Sequence, residues 1–393
     1  MAFPLPSILR EEPRYRLLFG GQLLSVIGDR VTFVALPFAV LAIGDLGDLA
    51  VVSVAMTLPF LVVAIPAGSL ADRVGRREAM IVADLVRAVV QAAMAVLLLS
   101  GAAEVWMLAA LGVVFGTAEA VFGPAMIGLI PQTVETVRIQ QANALFGALQ
   151  NLGMVVGPAI AGVLIALSGP GEAIAIDSAT FLVSAWFLAR LRPRPVTAEE
   201  APDDGPHDLV HGLREGWRIV RSSGWILPGI ATLAAYTILS LPSIFVLGPA
   251  LADRELGGGA NWAVITTGFG VGAVAGSVLA YRLRPSRTLV VAFGSMVIAS
   301  LQGIVLASGL GVGAIAVLEG VCGVFVSLFI TLWDTTIQEQ VPPEATARRS
   351  GRLARSRPIM ASINCVRWLT RSGVPLSVAP WPRLAANRSS RSG

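Results

Sequence analysis

The sequence predicts an all-α membrane protein that crosses the bilayer many times. Three observations lead to this class: ten long apolar segments, a very low content of charged residues, and loops that alternate in charge. Charged residues make up only 14% of the 393-residue chain and the mean hydropathy is +0.74, whereas soluble domains carry about 25% charge. The composition therefore excludes a soluble globular domain.

The apolar segments are each long enough to span hydrocarbon, which takes roughly 20 mostly apolar residues. Only helices or closed barrels satisfy every backbone amide inside a bilayer, and these segments are too long and too continuously apolar for barrel strands. We expect helices at 17–43, 49–70, 79–100, 105–130, 141–168, 173–191, 225–252, 262–281, 288–308 and 311–338.

The loops between these segments alternate between arginine-rich and acidic or neutral. Arginines occur before the first segment and after the second, fourth, sixth and eighth, while acidic residues such as Asp45, Asp48, Glu104 and Glu172 occupy most of the other loops. Because positively charged loops remain in the cytoplasm, we expect the N-terminus and the region after the tenth segment to be cytoplasmic.

A long polar stretch divides the chain unevenly. Residues 192–224 contain four prolines and five acidic residues between 193 and 208, a composition typical of a solvated linker. We therefore predict a six-helix bundle at 1–191, a cytoplasmic linker at 192–224 and an incomplete, four-helix bundle at 225–338. Residues 339–393 are expected to form a disordered, arginine-rich tail.

The net charge of +4 is the sum of a negatively charged main part of the chain and a positively charged tail. Every basic residue is arginine; residues 1–344 carry 19 Arg against 25 acidic residues, and residues 345–393 add 10 Arg and no acid. The basic balance therefore belongs to the tail and does not predict nucleic-acid binding. The two histidines, His207 and His211, are too few for a metal site, and no nucleophile–base pattern predicts an enzyme or a cofactor.

The strongest local motif follows the second segment and contains Gly68, Asp72, Arg73, Gly75, Arg76 and Arg77. Glycines permit a tight turn with close helix approach, and an acid at a helix N-terminus is favoured by the helix dipole. A short cytoplasmic loop of any protein also contains arginines, but the spacing of Gly, Asp, Gly and paired Arg is more specific than that.

This motif resembles the G-x-L-A-D-R-x-G-R-R signature of the major facilitator superfamily. The resemblance covers residues 15–344 and is strongest to bacterial drug:proton antiporters of the macrolide-efflux and enterobactin-exporter type. It is carried further by the phrases 22–30, 84–88, 142–144 and 176–181. It implies three-helix inverted repeats and a gating role for the signature residues. It also implies proton-coupled export of a hydrophobic or amphipathic drug, macrolide or siderophore-like molecule across the bacterial cytoplasmic membrane. The sequence does not give the oligomeric state, for which we expect a monomer.

A second signature lies in the fifth segment, where Gly153, Gly157, Pro158 and Gly162 resemble the G-x-x-x-G-P-x-x-G-G motif associated with antiporters, with Ala161 in place of one glycine. Small residues allow close helix approach and a proline kinks a helix. Glycine and proline are also common in membrane helices generally. Four glycines of the eighth segment, at 268, 270, 272 and 276, predict a smooth seam against another helix.

Charged residues inside the apolar segments are expensive to bury and mark functional positions. Asp29 and Glu119 are our candidates for proton coupling, because a carboxyl group removed from water can bind and release a proton. A fixed ion pair, for Asp29 most obviously with a nearby arginine, is the alternative. Asp84 and Arg87 lie three residues apart on one helix face, where they can pair. Asp177 and Glu319 are further intramembrane acids.

The tail raises a separate expectation. The superfamily usually has twelve helices, and after Glu344 the resemblance vanishes into acid-free, arginine-rich sequence, which GC-rich DNA tends to give when read out of frame. We therefore expect a frameshift near codons 345–350. The alternative to a frameshift is a natural polybasic tail that binds anionic lipid. Two alternatives to the export function also remain open: a truncated, non-transporting remnant of such a carrier, and a true ten-helix drug/metabolite carrier, although the latter class lacks the linker and the 68–77 signature.

Overall fold

The computed structural model describes residues 6–194, 221, 224–283, 285 and 287–340, except for the side chains of residues 60–61, 64–70, 72–73, 281 and 337–340. The helices are α1 Ser7–Glu11, α2 Pro13–Leu41, α3 Leu46–Val74, α4 Arg76–Leu99, α5 Val105–Leu129, α6 Ile139–Leu167, α7 Pro170–Arg190, α8 Ile226–Leu239, α9 Gly248–Arg254, α10 Gly259–Arg282, α11 Thr288–Ala299, α12 Gln302–Leu306 and α13 Val312–Gln340.

The predicted all-α membrane class is confirmed. The described residues contain no strand, and a helix begins within a few residues of each of the ten predicted segments. Nine spans meet the length and hydropathy needed to cross a membrane in the part of the chain that the structure describes, and the apolar part of α3 at Leu46–Pro59 adds a shorter one.

The seventh segment, predicted as one helix over 225–252, is interrupted. It consists of α8, a π-helical segment at Ser243–Leu247 and α9. Pro242 immediately precedes the π-helical segment, and a proline cannot donate the backbone hydrogen bond that would continue α8. Within the π-helical segment Ser243 is buried, whereas Leu247 is exposed.

The ninth segment, predicted over 288–308, is also two helices. α11 ends before Ser300, whose hydroxyl donates to the Met296 carbonyl oxygen at 2.9 Å, and α12 begins at Gln302. A serine that bonds the backbone in this way competes with the regular helix ladder. The break leaves the Gln302 side chain fully buried.

Helices α2 to α7 pack against one another, chiefly α2 on α6 and α7, α4 on α5 and α7, and α3 on α5. After residue 224, α10 and α11 pack on α13, and α8 packs on α11. The two sets of helices meet mainly where α6 lies against α10, with α2 touching α9 and α10.

Glycines of α10 bring it against two helices. A Cβ added to Gly268, Gly272 or Gly276 would collide with backbone atoms of α13, whereas one added to Gly270 would collide with the Met154 backbone of α6. The predicted seam therefore exists for three of the four glycines. Gly270 is on the other side of α10 because two residues rotate a helix by about 200°.

The proposed linker falls largely outside the described residues, as do His207, His211 and all of 341–393. The division at 192–224 and the character of the tail therefore stay predictions.

Candidate transport site

Two arginines of the 68–77 signature, Arg76 and Arg77, bind carbonyl groups near the ends of two helices. Arg76 Nη1 donates to the Gly128 carbonyl oxygen at 2.5 Å, near the end of α5. Arg77 donates to the Leu188 and Ala189 carbonyl oxygens at 2.8 and 2.6 Å, near the end of α7. Guanidinium groups satisfy the unpaired carbonyls of helix C-termini and favour their negative dipole ends.

Gly75 separates α3 from α4 and has φ +104°, a conformation that favours glycine. The side chains of Asp72 and Arg73, and the surroundings of Gly68, lie outside the description. The gating role of this signature is therefore a prediction still.

Arg87 is the centre of a buried cluster in the first set of helices. Its side chain is only 1% exposed and forms ion pairs with Asp84 on the same helix and with Glu119 of α5, the latter at 2.6 Å. The guanidinium carbon lies 4.0 and 4.4 Å from the ring centroids of Phe122 and Phe181. Two carboxylates and two aromatic faces thus stabilise one charge away from water.

Asp177 of α7, fully buried, belongs to the same cluster. Its carboxylate accepts hydrogen bonds from Thr32 at 2.7 Å, Gln91 at 3.2 Å and Thr180 at 3.0 Å. A Cβ at Gly28 would collide with the Asp177 and Thr180 side chains, so the absence of a side chain at Gly28 is what allows α7 to place this carboxylate against α2.

Asp29 and Arg30 are partly buried on α2. The charges within electrostatic reach of Asp29 are those of Arg87, Asp177, Glu119 and Arg30. With Asp84, this cluster brings four carboxyl groups and two guanidinium groups together. If all six were ionised, the cluster would carry two negative charges in excess.

The second signature lies where α6 crosses α2. A Cβ on Gly153 would lie 2.7 Å from Val26 Cγ1, and one on Gly157 would collide with the Arg30 side chain. Gly157 therefore makes room for Arg30 between the helices, and Gly153 makes room for Val26. Gly162 serves the other side of α6, where an added Cβ would lie 2.7 Å from the Ala263 Cβ of α10.

Pro158 and Arg30 open onto a cavity bounded by helices from both sides of the predicted linker. Its walls come from α2, α6, α8, the π-helical segment, α10, α11 and α13, and it encloses about 90 Å³. Five aromatic side chains line it: Phe33, Tyr236, Phe245, Trp262 and Phe269. Phe33 and Phe245 meet edge to face across the two sets of helices, with ring centroids 4.8 Å apart.

A chain of buried polar groups reaches this cavity from the second set of helices. The Tyr236 hydroxyl donates to Gln302 Oε1 at 2.6 Å, and Gln302 Nε2 donates to Glu319 Oε2 at 3.0 Å. Tyr236 and Glu319 both line the cavity. Three elements, α8, α12 and α13, each supply one member.

The structure brings most of the sequence candidates together. Asp29, Asp84, Arg87 and Glu119 share the buried cluster, and the α6 signature adjoins it. Sequence reasoning did not predict Tyr236 and Gln302, and it noted Glu319 without choosing it for coupling. An amide within an apolar segment, as at Gln302, is a signal that could have indicated this second group, because polar side chains in a membrane need partners.

Membrane-spanning helices around a mostly apolar, aromatic cavity are the architecture of a membrane carrier. The chain belongs to the Major Facilitator Superfamily, whose family model matches residues 18–359.

Among similar proteins is the multidrug efflux pump Tap of Mycobacterium tuberculosis, 31% identical over 309 residues, which cover 74% of this chain and 72% of the pump. The putative bacilysin exporter BacE of Bacillus subtilis is 28% identical over 277 residues, which cover 68% of this chain and 66% of the exporter.

Solved structures of similar fold include a point mutant of the nucleoside transporter NupG, with TM-score 0.65, 13% identity, and coverage of 91% of this chain and 90% of NupG. A bacterial homologue of the iron transporter ferroportin in an inward-facing state gives TM-score 0.57 and 17% identity, covering 95% of this chain and 93% of the homologue. At these identities the likeness concerns the fold alone.

Proposed function

We propose that this carrier exports a hydrophobic or amphipathic small molecule across the bacterial cytoplasmic membrane by alternating access, driven by protons. The observation that carries the proposal is the aromatic cavity lined by helices from both sides of the predicted linker. The similarity of the chain to an efflux pump and a putative exporter supports the direction of transport.

The cavity also indicates the kind of substrate. Apolar and aromatic walls with a few polar groups are typical of sites for small organic molecules, which usually occupy about 300–1,000 Å³. The cavity volume of about 90 Å³ is smaller, so we expect the surrounding helices to move apart when a drug-sized molecule binds. This is the behaviour that alternating access requires.

The buried cluster supports proton coupling through Asp29 and Glu119. Four carboxyl groups share two guanidinium groups, and uncompensated charge inside a membrane protein is costly. Binding one proton halves that excess negative charge, and binding two protons removes it. Arg30, which lines the cavity and lies within electrostatic reach of Asp29 and Glu119, connects the state of the cluster to the substrate space.

We expect Asp29→Asn to abolish proton-driven efflux while substrate binding survives. Asparagine keeps the shape of the side chain but cannot carry a proton through a transport cycle. Uptake into everted membrane vesicles with an imposed pH gradient is first measured for the wild type with ethidium, erythromycin and chloramphenicol. The variant is then compared with the wild type on the compound that the wild type transports fastest. Binding of that compound is measured on purified protein.

Asp253→Asn is the matched control, since Asp253 is an exposed acid at the end of α9 and its loss should leave the rate unchanged. Normal pumping by the Asp29 variant would exclude Asp29 as the coupling site. If vesicles with the wild-type protein took up none of the three compounds faster than vesicles without it, efflux of this substrate class would be contradicted.

We further predict that Arg76 and the linker at 195–210 face the cytoplasm and that the loop at Asp45–Asp48 faces outward. Single cysteines at positions 203 and 46 are introduced after Cys322 and Cys365 are replaced by serine. A membrane-impermeant thiol reagent added to intact cells should label position 46 and spare position 203. Labelling of position 203 from outside would overturn the topology.

A further inference from the structure

The end of α7 carries a cation that is held in place at the surface of the protein. The Arg190 guanidinium carbon lies 3.7 Å from the centroid of the Trp186 ring, and Trp186 is 48% exposed. Leu182, one turn earlier on the same face, is 51% exposed. An apolar, an aromatic and a basic side chain therefore follow one another along one stripe of α7.

This order matches the layers of a bilayer. α7 has 21 residues and ends at Arg190, which gives a length of about 32 Å, close to the hydrocarbon thickness of roughly 30 Å. Arg190 therefore lies at the level of the lipid headgroups. Trp186, one turn inside it, lies at the interface, where tryptophan is enriched in membrane proteins.

The packing of α2 on α7 brings a second arginine to the same level. The two helices run antiparallel: Gln22 Nε2 donates to Ser184 Oγ at 3.0 Å, and a Cβ on Gly20 would lie 3.2 Å from the Phe187 ring. One further turn toward the start of α2 reaches Arg16, and one further turn toward the end of α7 reaches Arg190. Arg16 and Arg190 are both exposed.

The charges of these two arginines are not neutralised by an acid within the described part of the chain. None of the ion pairs formed there includes Arg16 or Arg190. The acids near this end of α2 and α7 have other partners: Glu11 and Glu12 pair with Arg138, Glu12 also with Arg194, and Glu78 with Arg77. The surface beside Trp186 therefore has an excess of positive charge.

We propose that an anionic phospholipid binds where α2 and α7 end together, with its phosphate at Arg16 and Arg190 and an acyl chain along Trp186 and Leu182. A guanidinium group can bind two phosphate oxygens through parallel N–H bonds, and basic sites between membrane helices are suited to anionic headgroups. The bound lipid connects α2, which carries Asp29 and Arg30, to α7. This inference goes beyond the proposed export and does not depend on it.

The test measures lipid binding to the purified protein in detergent by native mass spectrometry. Phosphatidylglycerol is compared with zwitterionic phosphatidylcholine of the same acyl chains, and the wild type should bind phosphatidylglycerol more tightly. Arg16→Gln and Arg190→Gln should each lower the affinity for phosphatidylglycerol by about fivefold and leave the affinity for phosphatidylcholine unchanged. A role of these arginines in folding alone would not change this ratio.

Two further variants test the assignment. Arg282→Gln is the matched control, because Arg282 is an exposed arginine in the last turn of another membrane-spanning helix, α10, and its loss should change neither affinity. Arg190→Lys keeps the charge but not the planar group that stacks on Trp186. It should therefore lose less affinity for phosphatidylglycerol than Arg190→Gln does.

Soluble glycerol phosphate separates a lipid site from a site for free phosphate, and at the concentration of the lipid it should not displace phosphatidylglycerol. The proposal is overturned if glycerol phosphate displaces the lipid, if the wild type binds the two lipids equally, or if Arg282→Gln weakens binding as much as Arg190→Gln does. Failure of the export function would appear in the vesicle measurements and would leave these affinities as they are.

Discussion

Replacing Arg87 with methionine is expected to destabilise the carrier by about 3–5 kcal/mol, the cost of removing one partner from a buried ion pair. The substitution leaves Asp84 and Glu119 without the charge that they share and removes the cation held near the Phe122 and Phe181 rings. The melting temperature of the purified protein in detergent measures the loss. We expect it to fall sharply or the protein to be absent from the membrane.

The control combines Arg87→Met with Asp84→Asn and Glu119→Gln. Because neutralising all three removes the unpaired charge, this variant should melt above the single variant, although transport would still be lost if Glu119 takes part in coupling. Lysine at position 87 should rescue only partly, since one ammonium group does not reproduce the geometry of a guanidinium that reaches two carboxylates. A single Met variant as stable as the wild type would contradict the assigned role of the cluster.

Gly272→Ala is expected to destabilise the contact between α10 and α13 by about 1–3 kcal/mol, the usual cost of forcing extra volume into a packed interior, and to reduce transport. The added Cβ would collide with the carbonyl group of Gly320, and backbone cannot move aside as a flexible side chain can. Melting temperature and vesicle transport are measured on the same preparation.

Gly294→Ala provides the matched change on α11, where an added Cβ meets nothing within 4 Å. Alanine is a better helix former than glycine by about 1 kcal/mol, so this variant should be as stable as the wild type or slightly more stable. If the two alanine variants had the same melting temperature and the same transport rate, the tight approach of α10 and α13 would not determine the stability or the transport rate of the protein.

The sequence was sufficient for the class and for the positions of the ten helical regions, because a bilayer demands long apolar runs whatever their packing. It was not sufficient for the breaks at Pro242 and Ser300. Both interruptions depend on local backbone hydrogen bonding within runs that remain apolar throughout, so hydropathy does not register them. The breaks matter, since Phe245 at the first lines the cavity, and Gln302 at the second is hydrogen-bonded to two residues that line it, Tyr236 and Glu319.

Only part of the candidate site could be predicted, because spacing in a sequence indicates contacts within one helix but not contacts between helices. Asp84 and Arg87 are neighbours on one helix, and their spacing alone allows them to pair. The association of Glu119 with Arg87, or of Tyr236 with Gln302 and Glu319, joins residues from different helices, and no spacing in a single sequence specifies which faces of distant helices meet. Glu119 and Glu319 could each be identified as an acidic residue within an apolar segment, but the sequence did not indicate their partners.

The glycine faces of α10 have a mechanical consequence. On one side its Gly270 backbone abuts α6, and on the other its Gly268, Gly272 and Gly276 backbone abuts α13. At both points the helices are in contact through backbone atoms, with no flexible side chain between them. These contacts therefore deform less readily than contacts between side chains. We therefore expect a shift of α6, which packs against Arg30, to displace α10 and, through α10, the helix α13 that carries Glu319.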